Sequence, residues 1–215
     1  MILTPIAAEA LPATLAAFGQ RLASRPVAAA AFARIAASRD AGGPEDTPAR
    51  RRQAVDLARA IGIPTIDEMP AAAFSWDGRA LRTDSEAWVV LHEIAHWQLA
   101  PPERRCLLDF GLGAGPETGR KAEADAVLCL DEPARATEEA AASLLGILWE
   151  VALGQPAIHA FLEQNWLEGW ERPAAAEWFA ATIDHLYAAR LIDAEGRPAP
   201  RARDRPAIPA ALSRR

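Results

Sequence analysis

The chain has 215 residues, 51% of them hydrophobic, with 29 acidic against 23 basic side chains and a formal net charge of −6. That apolar content excludes a chain disordered throughout, the acidic balance excludes a strongly basic duplex-DNA binder, and no apolar run approaches the ~18 residues that span a membrane. Two cysteines, Cys106 and Cys129, are too few for a disulfide framework and read as reduced, small buried hydrophobes of a cytoplasmic protein.

No basic segment precedes the apolar residues between Met1 and Gly19, so no signal peptide is expected. Alanine fills about a quarter of the chain, so helices are assigned on periodicity rather than on alanine alone. Residues 11–22 and 27–37 read as two short helices split at Pro26. A loop with Gly42, Gly43 and Pro44 follows, and Thr47-Pro48 has the form of an N-cap with proline at the first helical position. Val55, Leu57, Ala58 and Ile61 give the next helix an apolar face, and Gly62 ends it. Between 63 and 83 the prolines at 64 and 70 and the Asp77-Gly78 pair predict a hairpin of 74–76 with 80–83. Asp84 or Ser85 is then expected to cap a helix that carries Trp88, Val89, Leu91, Ile94, Ala95 and Leu99 and stops at Pro101-Pro102.

A glycine-rich loop covers 111–119, and a short helix covers 122–130. A strong helix over 138–153 buries Leu144, Leu145, Ile147, Leu148 and Val151. Two more helices, 157–166 and 174–191, carry tryptophans that read with Trp149 as core. Residues 196–215, rich in proline and arginine without periodicity, read as a poorly ordered basic tail. The expected organisation is one domain over 1–195, a helical layer (1–62) on a core (63–195), in the α+β class but mainly α.

His92-Glu93-Ile94-Ala95-His96 is an HExxH motif on the helix that begins after Ser85. Residues four apart share a helix face, so both imidazoles can point at one cation, with Glu93 beside them to handle a proton. A third protein ligand is needed. Glu138, Glu139, Glu150, Asp109, Glu123, Asp125, His159 and His185 are the candidates. Glu139, Ala142, Ser143 and Gly146 form a stripe of small residues at helical spacing, a face another helix can approach closely. The competing reading leaves Glu138 and Glu139 as acidic residues favouring a helix N-terminus after Thr137. If Glu139 is the ligand, Glu139→Ala removes metal and Glu138→Ala does not. Arg104-Arg105, one loop beyond the motif, can fix a carboxylate of the protein or a substrate anion.

The run His92-Glu93-Ile94-Ala95-His96-Trp97, then Ala100, Arg104-Arg105, Leu107 and Asp109-Phe110-Gly111, resembles the bacterial elongation factor P hydroxylases. Glu139 and the apolar helix ending in Ala152-Leu153-Gly154 are similar to that family's later segment, and the resemblance covers about 74–156. It departs at Gln98, where a small residue is expected, and in the longer 112–137 segment. The resemblance implies a zincin-like helical metal core and an iron-dependent oxygenase that uses molecular oxygen to hydroxylate a lysine-derived side chain of the translation factor, or a related amine. By the same resemblance His92, His96 and Glu139 hold Fe(II), Glu93 assists oxygen or proton chemistry, and Arg104, Arg105 and Asp109 support the site. A zinc peptidase, with Glu93 as general base on Zn(II), uses the same three ligands.

Overall fold

A computed structural model of the chain describes residues 6–202. Among them lie eight α-helices and one two-stranded sheet: α1 (Leu11–Arg21), α2 (Pro26–Ala37), α3 (Pro48–Ala60), β1 (Thr65–Ile66), β2 (Leu81–Arg82), α4 (Ala87–Leu99), α5 (Lys121–Ala126), α6 (Glu132–Ala152), α7 (Ile158–Glu163) and α8 (Pro173–Ala188). The class is mainly helical, as the periodicity implies, and no described helix is long and apolar enough to cross a membrane.

Local chemistry sets most boundaries. Thr47 Oγ1 accepts from Arg50 N at 3.3 Å, with Pro48 at the first helical position of α3. Gly62, at φ 85°, closes that helix, because Ile63 N donates to Ala58 O and Gly62 N to Arg59 O in a paired C-terminal cap. Helix α6 begins before Glu138, where the sequence pattern had placed its start: Asp131 Oδ1 accepts from Ala134 N at 3.0 Å, and Pro133 sits inside the first turn. Glu138 and Glu139 are therefore mid-helix residues, which removes the helix N-terminus as the reason for their presence.

The expected hairpin is corrected. The Asp77 turn is present, with Asp77 Oδ1 accepting from Arg79 N and Ala80 N. Its arms meet only at one antiparallel bridge, Trp76 with Leu81. Strand β2 instead pairs in parallel with β1, in the register Thr65–Leu81 and Ile66–Arg82. Leu81 N and Thr83 N donate to Pro64 O and Ile66 O on one side, while Arg82 N donates to Ser75 O on the other. Both sides of β2 are thus occupied.

Helix α4 runs through the middle of the fold and buries Val90, Leu91, Ile94, Ala95 and Leu99 in one core with Leu144, Leu145 and Leu148 of α6. The N-terminal helices complete this core. Phe18 (α1) and Phe32 (α2) pack with Phe161 (α7) and Phe179 (α8) at ring-centroid distances of 5.1–6.0 Å. Such aromatic contacts add to the area they bury.

The segment read as an unordered tail is built into the fold as far as residue 202. Ala199 N donates to Leu191 O, and Ile192 bridges Pro198. Gln98, fully buried on α4, donates from Nε2 to Ala199 O at 2.9 Å and Arg201 O at 2.7 Å, and its Oε1 accepts from Trp149 Nε1 at 2.7 Å. A small residue at 98 would leave those groups without partners. The rest of the predicted tail lies outside the described residues. Two further expectations fail: Cys106 and Cys129 are both exposed, and Trp178 is 45% exposed.

Candidate metal centre

The site is made where α4 crosses α6. Gly146 is the close contact, since a Cβ there would lie 3.3 Å from both Cα and N of His92. Beside it Ala142 is fully buried, so the small stripe lets the helix backbones approach and sets Glu139 beside the two histidines. The start of α4 is held differently from the expected cap. Asp46, on the loop before α3, accepts from Ala87 N at 3.1 Å, while Asp84 pairs with Arg51 at 2.8 Å. An orphan helix N–H is thus satisfied by a residue forty-one positions upstream.

His92 Nε2 and His96 Nε2 stand 2.9 Å apart, and Glu139 Oε2 lies 3.4 Å from each. A point equidistant from the three atoms is about 1.9 Å from each, close to the ordinary metal–ligand distance of about 2.0–2.2 Å, so these three atoms are spaced as a set that would hold one cation. Two imidazole nitrogens and one carboxylate oxygen suit zinc or iron. Among the described residues this is the one group of three His, Cys, Asp or Glu ligand atoms that converges in this way.

The electrostatics favour a positive charge at that point. Burial and the neighbouring His96 charge push His92 below the ordinary histidine range. Burial opposes charge on His96 too, yet the Glu138 and Glu139 carboxylates outweigh it and raise His96 to about 10. Burial works against an ionised Glu139, but the two histidines overcome it and hold this carboxyl well below the usual range. Glu93 goes the other way, and its burial pushes it up to about 8. It lines the same cavity as the three converging residues, where a carboxyl can take up or pass on a proton.

The remaining candidates divide clearly. Arg104 reaches the site: it donates to Phe110 O at 3.0 Å and pairs with Glu138. Glu138 in turn faces the far side of His96 at 3.8 Å, too long for a hydrogen bond but a close contact between charges. Arg105 turns away, donating to Trp97 O at 3.0 Å with its guanidinium over the Trp97 ring. Asp109 is buried behind the site, where it accepts from Trp76 N at 3.1 Å and Thr118 Oγ1 at 2.6 Å; burial raises its carboxyl despite those bonds. Asp109, Phe110 and Gly111 all have positive φ, a backbone that non-glycine residues rarely adopt. That strained turn lays Phe110 against His96 (ring centroids 5.9 Å) and Trp76 (5.4 Å). Glu150 is buried about three turns further along α6, Glu123 pairs with Arg120, Asp125 accepts from Ala114 N, His159 contacts Gly42 O, and His185 lies on α8; none joins the three converging residues.

Two cavities meet at His92 and Glu139. One of about 350 Å³ is walled by Glu93, His96, Asp109, Glu117, Thr118 and Arg135. The other, about 370 Å³, is walled by Ser143, Gln164, Trp166, Glu168 and Trp178. Thr118, Glu117 and Gln164 lie outside the motifs, and no spacing in the sequence singles them out. Arg135 lies one turn before Glu139, and the same helical spacing that marks the small stripe finds it once α6 is started at Asp131. No family model, curated protein or solved structure matches this chain.

Proposed function

We propose that the protein is a metal-dependent hydroxylase, a non-haem iron oxygenase acting on an amine-bearing side chain such as the modified lysine of elongation factor P or a related substrate. The observation that carries this reading is the convergence of His92, His96 and Glu139, two imidazoles and a carboxylate on one wall of a cavity. A two-histidine, one-carboxylate set that leaves positions open is the donor arrangement of non-haem Fe(II) oxygenases. Bound Fe(II) supplies dioxygen activation. The chain's own residues would hold the ion, and Glu93 at the cavity wall is placed to take up or give a proton. Glu117 on one cavity, beside Arg135, and Glu168 on the other are carboxylates that a cationic amine could meet.

The same ligands and Glu93 also suit a zinc hydrolase. A peptidase aligns its extended substrate on a free strand edge; both sides of β2 are taken and the edge that remains, on β1, is two residues long, which favours the hydroxylase. The test is elemental analysis of protein purified anaerobically without chelator, beside His92→Ala and Glu139→Ala. Near-stoichiometric iron lost in both variants is expected, followed by dioxygen uptake with a lysine-modified translation factor or free amines. Zinc that is not replaced by iron on reconstitution moves the assignment to the hydrolase, and a metal-free wild type overturns both.

A further inference from the structure

Glu138 and Arg104 have no part in the three-residue ligand set, yet their surroundings are unusual. Glu138 Oε1 and His96 Nδ1 are both buried without a hydrogen-bond partner, and they face one another at 3.8 Å. A buried polar atom left unpaired is costly, so two of them aimed at each other mark a contact that a shift of about 1 Å completes. The other oxygen of Glu138 is held by Arg104, whose side chain is itself 10% exposed. Arg104 also donates to Phe110 O, and Phe110 stacks on the His96 ring. One buried guanidinium therefore fixes what touches His96 at its edge and what touches it on its face.

We propose that Glu138, held by Arg104, is the positioning residue of the metal centre: it accepts the Nδ1 proton of His96 and so fixes the tautomer that presents Nε2 to the ion. This rests on His92, His96 and Glu139 being the ligands. It also changes the sequence expectation that Glu138→Ala is silent. Metal-bound histidines are commonly held in this way by a carboxylate, and loss of such a partner lowers metal affinity about 10–100-fold.

The experiment measures zinc dissociation constants by competition with a chromophoric chelator for wild type, Glu138→Ala, Glu138→Gln, Arg104→Met and Glu139→Ala. Each chelator-treated variant is also melted to verify its fold. The expected result is a 10–100-fold loss in Glu138→Ala, a smaller loss in Glu138→Gln, whose amide oxygen still accepts, and the greatest loss in Glu139→Ala. Arg104→Met and Glu138→Ala should be non-additive in combination. In ¹⁵N spectra of the zinc-loaded protein, the His96 Nδ1–H signal should be present in wild type and absent or shifted in Glu138→Ala. Folded Glu138→Ala and Glu138→Gln variants that bind zinc within twofold of wild type, with an unmoved His96 signal, would overturn the proposal. A wild type that binds no zinc, cobalt or iron fails the ligand set itself, which separates the two failures.

Discussion

Gly146→Val tests whether the closeness of α4 and α6 makes the site. The added Cβ lies 3.3 Å from two backbone atoms of His92. Backbone cannot rotate aside, so one helix must move by more than the few tenths of an ångström that alanine requires. Overpacking of this kind costs about 1–3 kcal/mol, and valine recovers only a few tenths of a kcal/mol over glycine in helix propensity. For a protein of this size each kcal/mol is worth about 2–4 °C, so the chelator-treated variant should melt about 2–12 °C lower. Glu139 is two turns from Gly146 on the same face, so the same displacement withdraws its carboxylate and weakens zinc binding. Gly146→Ala separates the two effects. Its helix-propensity gain of up to about 1 kcal/mol offsets the tighter contact, leaving the melting point near wild type while zinc affinity still falls severalfold. Differential scanning calorimetry and chelator competition read both quantities. A valine variant that melts within about 1 °C of wild type and binds zinc equally well would refute the argument.

Gln98→Leu should cost about 2–4 kcal/mol, because Trp149 Nε1 and the carbonyls of Ala199 and Arg201 lose their partner in a buried position; thermal melts and faster tryptic cleavage after Arg201 check it. Glu150, raised to about 8 by burial, carries its proton in the folded state across a range where the unfolded chain has lost it. Its contribution to stability is fully present below the unfolded value near 4.5 and declines as pH rises towards about 8, at no more than about 1.4 kcal/mol per pH unit. Glu150→Gln should therefore gain on wild type as pH rises from 5 to 8 in urea titrations, and a constant difference across that range would exclude the reading.

What was legible in the sequence was local. The i, i+4 spacing of His92 and His96 and the stripe of Glu139, Ala142, Ser143 and Gly146 are both helical periodicities, and each side chain lies where its spacing puts it. Thr47-Pro48 and Gly62 mark the ends of α3 by turn chemistry that needs no partner elsewhere. The misses all involve distant partners. Thr65–Ile66 is two residues after a proline and becomes a strand only because Leu81 lies beside it. Asp46 caps α4 from the loop before α3, so neither of the nearby candidates, Asp84 and Ser85, is needed there. The true start of α6 at Glu132, capped by Asp131, was obscured by the run of alanine and charge that follows, and with it went the position of Glu138 behind His96. Arg104 and Arg105 are adjacent in sequence yet diverge in space, which an arginine pair cannot announce.

The aromatic cluster that joins Phe18 and Phe32 to Phe161 and Phe179 has a consequence for synthesis. Chains grow at about 5–20 residues per second, so Phe18 leaves the ribosome roughly 10–30 s before Phe179. Throughout that interval the alanine-rich faces of α1 and α2 have no completed core to bury them, and Gln98 on the metal helix awaits Ala199 and Arg201. Folding is therefore governed by contacts of long sequence separation. An N-terminal fragment that carries the HExxH motif but ends before α8 therefore lacks the partners of Phe18, Phe32 and Gln98 and cannot stand in for the whole.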